Sequence, residues 1–191
     1  MNYLAHAYLS FNNEDLLVGN MISDFIKGKK QYDYPPGIQK GIKLHRAIDA
    51  FTDNHPATKE ARVFFKSSVG MYSGAFVDVM YDHFLANDES EFTNASLEIF
   101  AGETYNTLTK FYLLLPARFQ MMLPHMKAHN WLYNYKSRWG IEQSFGGVVH
   151  RAKYLESSRE AFAAFEKHYI SLQKCYSEFF PSLKQYAAQQ L

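Results

Sequence analysis

The sequence predicts an all-α protein, and three observations carry that prediction. Apolar residues recur mostly at three- and four-residue spacing, the helical period. Runs of β-branched residues alternating with polar ones, the strand signature, are few. Only six Pro and ten Gly punctuate 191 residues. The elements follow in order. Leu16, Leu17, Met21 and Phe25 trace one stripe in a first region that Gly19 and Gly28 partly bracket. Pro35-Pro36 breaks the chain and suits the first turn of a helix through Ile38, Ile42, Leu44, Ile48 and Phe51. The stretch Thr52-Asp53-Asn54-His55-Pro56 reads as a stop and restart, with Asp53 or Asn54 able to cap. A helix from about Ser73 to Ala86 carries Phe76, Val77, Met80, Phe84 and Leu85. Later helices are expected at about Glu91–Leu114, Arg118–Ser137, Ile141–Leu155 and Ser158–Ala188. Breaks are expected at Pro116, Trp139-Gly140 and Ser157-Ser158. The total is about seven or eight helices in a single domain over residues 1–191.

A chain of this length buries enough surface to fold without a disulfide or metal staple. Apolar residues make up 47% and charged residues 20%, which argues against disorder. A net charge of +1 gives no global reason to expect nucleic acid or membrane binding. The single Cys175 excludes an internal disulfide and any multi-Cys zinc site, and it fits a reducing cytoplasm, the expected location. The start, Met-Asn-Tyr-Leu-Ala-His, lacks a basic segment and a long apolar run, so no secretory leader is expected. No run approaches the ~18 apolar residues of a membrane span. The charges are uneven: residues 1–96 hold nine Lys and Arg against twelve Asp and Glu, and residues 97–191 hold eleven against seven. The basic second half could dock an acidic partner, or the charges could simply be spread over solvated helix faces.

Polar residues fall where core is expected. Asp24 sits inside Met21-Ile22-Ser23-Asp24-Phe25-Ile26. His45, Asp49 and Asp53 repeat every four residues on one helix face, and Asp78 and Asp82 do the same within Val77–Leu85. His6 lies between Leu4-Ala5 and Ala7-Tyr8-Leu9. A buried carboxylate is expensive unless it is paired or bound to metal. Imidazole and carboxylate donors suit Mn²⁺, Fe²⁺ or Mg²⁺, and an i, i+4 pair presents two donors to one ion. Plainer roles stand beside this. His6 could be a hydrogen-bonded core histidine, and Arg46 offers Asp49 or Asp53 an ion-pair partner. Asp53 suits a turn or cap, and His55 could simply order the turn before Pro56. The like charges of Asp78 and Asp82 destabilise a helix, so something must compensate them.

These same blocks resemble a known family. Met-Asn-Tyr-Leu-Ala-His at the start, Val-Gly-Asn-Met-Ile-Ser-Asp-Phe at 18–25, Gly41 through Pro56, and Val-Asp-Val-Met-Tyr-Asp-His-Phe-Leu-Ala at 77–86 look like acyl carrier protein phosphodiesterases. Trp139-Gly140-Ile141 through Arg151 resembles that family's later pattern more weakly, and the likeness spans essentially the whole chain. The resemblance implies an all-α, HD-domain-like fold. It implies hydrolysis of the phosphodiester joining 4′-phosphopantetheine to a serine of holo acyl carrier protein, with a divalent metal, Mn²⁺ foremost and Mg²⁺ or Fe²⁺ as alternatives. HD enzymes are named for a His-Asp dipeptide that this chain lacks; Asp82-His83 has the reverse order. Ligands are therefore chosen among the family-like positions on the physical reading: His6, Asp24, His45, Asp49, Asp78 and Asp82, with Asp24, His45 and Asp82 foremost.

In the expected mechanism a metal-activated water attacks the phosphodiester. Asp49 could orient the water, Arg46 and Lys43 could hold the phosphate, and His55 or His83 could protonate the departing serine, with Asp24 and His45 also counted as catalytic. Carrier proteins of this family's reaction are small and acidic, which makes Lys127, Lys136, Arg138, Arg151, Lys153 and Arg159 candidate docking charges. Two rival readings are an HD-like phosphohydrolase acting on a nucleotide or other small phosphoester, and a non-catalytic helical protein that binds the carrier.

Overall fold

Short polar side chains and prolines set the helix starts in the computed structural model, which describes residues 1–191. After α1 (Tyr3–Tyr8), Asn13 accepts from the Leu16 amide and opens α2 (Glu14–Ile22). Pro36 stands in the first turn of α3 (Pro36–Asn54), where its missing N–H breaks no helical bond. His55 caps α4 (Pro56–Val69) by accepting from the Ala57 amide at 3.2 Å. Next come α5 (Ser73–Ala86) and α6 (Asn94–Lys110), the latter opened by a Thr93/Ser96 capping box. Then follow α7 (Ala117–Ala128), α8 (Trp131–Asn134), α9 (Arg138–Arg151), α10 (Arg159–Lys167) and α11 (Tyr169–Ala188). Four 3₁₀ segments interrupt the series, and there is no strand.

The protein is all-α, as its periodicity predicts, but eleven helices replace seven or eight. Two expected helices are split. Asn130, at φ 41°, separates α7 from α8, and His168 separates α10 from α11. Asparagine is one of the few non-glycine residues that tolerate this left-handed geometry. The expected break at Trp139-Gly140 falls inside the first turn of α9 instead. Ser137 caps that helix by accepting from the Gly140 amide at 2.9 Å. Gly140 serves close packing there, since a Cβ would lie 1.8 Å from the Asn134 carbonyl oxygen.

Helix α5 is the centre of the molecule. Ten of its fourteen residues are buried, and it packs against α1, α4, α9 and α11. A helix buried nearly all round belongs inside a core. Fully buried side chains such as Phe76, Tyr81, Phe145 and Phe179 each stabilise the fold by roughly 1.5–3 kcal/mol. The buried apolar residues form one cluster running from α1 to α11.

The α2–α3 crossing positions the site. A Cβ on Gly19 would lie 2.1 Å from the Ile38 carbonyl oxygen, and one on Gly41 would lie 2.3 Å from that of Leu16. The two backbones therefore touch, which brings Asn20 of α2 against His45 of α3. No helix is long and apolar enough to cross a membrane.

Candidate metal centre

Helix α1 has only six residues and would not hold its place unaided. Asp82 of α5, fully buried, pins it by accepting from the amides of Asn2 (3.2 Å), Leu4 (2.7 Å) and Ala5 (3.3 Å). These are amides that a helix start leaves without a partner. Pinned in this way, α1 points His6 at His45 and Asp49, which sit one turn apart on α3. Asp24 arrives from the 3₁₀ segment Ser23–Phe25.

Asn20 sets both imidazoles. The rings of His6 and His45 stack with centroids 3.8 Å apart and 13° between planes. His6 Nδ1 lies 2.8 Å from Asn20 Oδ1, and His45 Nδ1 lies 2.7 Å from the Asn20 carbonyl oxygen. The Asn20 side chain is itself fixed, its NH₂ donating to the His6 carbonyl (2.7 Å) and Ser10 Oγ (3.2 Å). Both Nδ1 atoms face acceptors and carry protons, so in the neutral rings both Nε2 atoms present lone pairs.

Those lone pairs point at carboxylates. His45 Nε2 lies 3.2 Å from Asp24 Oδ1 and 3.1 Å from Asp49 Oδ2. His6 Nε2 lies 3.2 Å from Asp49 Oδ1, yet without hydrogen-bond geometry, and so is a buried nitrogen with no partner. One ligand atom each from His6, His45 and Asp49 lies within 4.8 Å of the others. Lone pairs facing carboxylate oxygens repel unless a positive charge sits between them, either a proton or a metal cation.

In the metal-free protein His45 takes that role. Burial opposes its charge, but Asp24 and Asp49 prevail and push it up to about 9. Burial and the neighbouring His45 hold His6 down to about 4, so one ring of the stack is charged and the other neutral. Burial also opposes charge on Asp49, but His45, His6 and the Met1 amino group keep it well below the usual carboxylate range. Contact with His45 likewise lowers Asp24. Two imidazole nitrogens and a carboxylate suit a divalent ion, and the orphaned His6 nitrogen and its neighbours fit one. The imidazoles are buried, whereas the side chains of Asp24 and Asp49 are 74% and 41% exposed, so the centre opens to solvent on one side.

The other sequence candidates lie elsewhere. Asp82 is occupied by the amides of α1, and burial pushes its carboxyl up to about 7 against those bonds and the amino group. Asp78 accepts from the Met1 amino group at 3.0 Å, and that amine also lies 3.5 Å from Asp49. These partners answer the repulsion of the Asp78/Asp82 pair. Arg46 spends its guanidinium on Gln31 Oε1 (2.8 Å) and the Ile26 carbonyl (3.3 Å). His55 caps α4 and lies against Phe51 and Phe179. His83 is buried between the Tyr135 carbonyl (2.7 Å) and the Tyr169 hydroxyl (3.1 Å). The structure thus brings together His6, Asp24, His45 and Asp49 and does not bring Arg46, His55, Asp78, Asp82 or His83 into that group. Asn20, which orients both imidazoles, is not among the residues that the sequence marks as functional; an amide inside the apolar run Leu16–Ile22 and its place in the family-like block at 18–25 are its signals.

Fold and centre together define an all-α protein in which two imidazoles and a carboxylate can hold a metal ion. The family follows from similarity over nearly the full length. The family model described as acyl carrier protein phosphodiesterase matches residues 1–183, and the chain belongs to that family. A Yersinia pestis protein named acyl carrier protein phosphodiesterase is 33% identical over 188 residues, covering 98% of this chain and 97% of its own. A Salmonella paratyphi A protein of the same name is 30% identical over 189 residues, covering 98% of each. No solved structure matches.

Proposed function

We propose that this protein hydrolyses the phosphodiester between 4′-phosphopantetheine and the serine of holo acyl carrier protein. Family membership supplies the reaction class, and one observation ties it to this site. Two imidazole nitrogens, fixed by Asn20, converge on Asp49 beside an exposed Asp24. His6, His45 and Asp49 would hold a divalent ion, Mn²⁺ foremost, and that ion would supply a lowered pKa for water and charge withdrawal from the phosphoryl oxygens. In the hydrolysis the water oxygen bonds to phosphorus and the bond from phosphorus to serine oxygen breaks. A proton from the water ends on that serine. Asp24 is exposed and outside the three-residue group, so in this reading it takes the water's proton and returns it to the departing oxygen. Asn20 keeps both rings in one tautomer while this happens.

The partner surface reads from charge. Residues 104–141 contain no Asp or Glu but carry Lys110, Arg118, Lys127, Lys136 and Arg138. The stretch runs from α6 to the start of α9. An acidic carrier protein is the complementary partner for such a stretch, in which Lys110 is already paired with Glu14. Arg138 pairs with Glu166, and Lys136 and Lys127 bond Asn94 and Thr109, whereas Arg151, Lys153 and Arg159 carry no ion pair.

Mass spectrometry of holo acyl carrier protein incubated with the protein tests the reading. The expected result is conversion to the apo mass with Mn²⁺ and none with chelator. A folded, metal-loaded sample that leaves the carrier unchanged contradicts it.

A further inference from the structure

Helix α9 carries a face that is neither core nor ordinary surface. Gly140, Gln143, Ser144, Gly147 and Arg151 fall on one stripe by helical spacing, and all border a cavity of about 280 Å³. Small-molecule sites begin at about this size. Trp131 and Trp139, the only two tryptophans in the chain, form aromatic walls. Trp139 is 54% exposed although aromatic rings are among the most favourable to bury. No carboxylate borders the cavity, and Arg151 is its one arginine or lysine.

Gly147 is the telling residue. A glycine inside a helix destabilises it and needs a reason. Gly140 has one in the Asn134 carbonyl, but a Cβ on Gly147 would meet only Arg151 Nη1, at 3.7 Å. Unlike Gly102 and Gly146, whose Cβ would meet nothing within 4 Å, Gly147 lines the cavity, so a large side chain there would enter it.

The cavity reaches the start of α1, the helix that carries His6. Asn2 and Tyr3 form part of its wall, and His6 follows Tyr3 one turn along α1. Tyr3 is partly buried, burial pushes its hydroxyl up to about 12, and Arg151 and Asp24 both act on it. The acid-free stretch supplies another wall through Trp131 and Trp139.

Given the reaction proposed above, on which this step rests, we infer that the cavity receives the pantetheine arm of the carrier protein. Gly147 keeps the path open, the tryptophans cover the arm, and Gln143 and Ser144 bond its amides and hydroxyl. The arm is neutral between its phosphate and its thiol, which fits a cleft with one cation and no anion.

Both tryptophans report on the cleft directly. The full-length, metal-loaded protein is titrated with S-methylpantetheine, which has the arm's amides but no phosphate, carrier or free thiol. The expected result is a saturable change in tryptophan fluorescence that adenosine does not produce. Gly147→Leu should abolish it and raise KM for holo carrier protein about tenfold, with bound metal unchanged. Ser144→Leu is a second blocking variant should Gly147→Leu fail to fold. Gly146→Leu, at a neighbouring position outside the cleft whose Cβ would meet nothing within 4 Å, should match the wild type. Absence of saturable binding, adenosine binding in place of the arm, or a blocked variant with unchanged KM overturns the inference. Hydrolysis of holo carrier protein by the wild type is read separately. Its failure sinks the proposed reaction, whereas hydrolysis without arm binding sinks the cleft alone.

Discussion

Among α1, α2 and α3, Asn20 alone makes four hydrogen bonds, to His6, His45 and Ser10, and the α2 and α3 backbones touch at Gly19 and Gly41. Along α9, Gln143, Ser144 and Arg151 face open space, and Gly147 leaves a gap that nothing fills. The first region is cross-linked by hydrogen bonds that fix its imidazole nitrogens. The second, on the inference above, offers its groups to a ligand. Removing a group from the first region should therefore damage turnover itself, and removing one from the second should damage recognition.

The largest effect should come from His45→Ala, which deletes a ligand: turnover falls on the order of 10³-fold or more, and bound metal is lost. A variant that keeps its metal and its rate would erase the distinction between the regions. Asn20→Ala leaves the ligands in place but frees the His6 ring, and should lower metal affinity or activity about 10–100-fold. Competition against a chromogenic chelator would measure it.

The pH dependence sharpens the same contrast. Metal can bind only after His45 loses the proton it holds up to a pH of about 9, whereas His6, pushed down to about 4, is already neutral. Apparent affinity should therefore rise about tenfold per pH unit between roughly 6 and 8, with about one proton released per ion. Calorimetry in buffers of different ionisation enthalpy would count that proton, and a count of zero would contradict the arrangement. The smallest effect is expected from neutralising Lys127, Lys136 and Arg151 together. KM should rise about tenfold at low salt, less at high salt, with kcat little changed. An equal fall in kcat would place these cations in the chemistry instead.

The helical class and most helices can be read from period and punctuation. Ser73–Ala86 is predicted and found with the same ends. The division at Asn130 escapes because a left-handed asparagine leaves no signal as clear as glycine or proline. The extra break at His168 likewise has no local marker. At the site, the four-residue spacing of His45 and Asp49 marks one face, and polar residues in apolar runs mark His6 and Asp24. The same logic attracts Asp78 and Asp82, whose compensation comes from α1 amides and an amino group. Nothing in the local pattern says that α1 abuts α5. Asn20 is illegible for a related reason, since its importance lies in two histidines distant along the chain. The acid-free stretch at 104–141 is present in the sequence, but counting charge by halves dilutes it.

The central claim is that His6, His45 and Asp49 hold one ion that the hydrolysis requires. Mn²⁺ bound per chain, measured alongside conversion of holo carrier protein for the wild type, His6→Ala, His45→Ala and Asp49→Asn, tests it most directly. The account predicts one ion and full conversion for the wild type, with both lost together in each variant. Conversion that persists in a folded variant carrying no metal would contradict it.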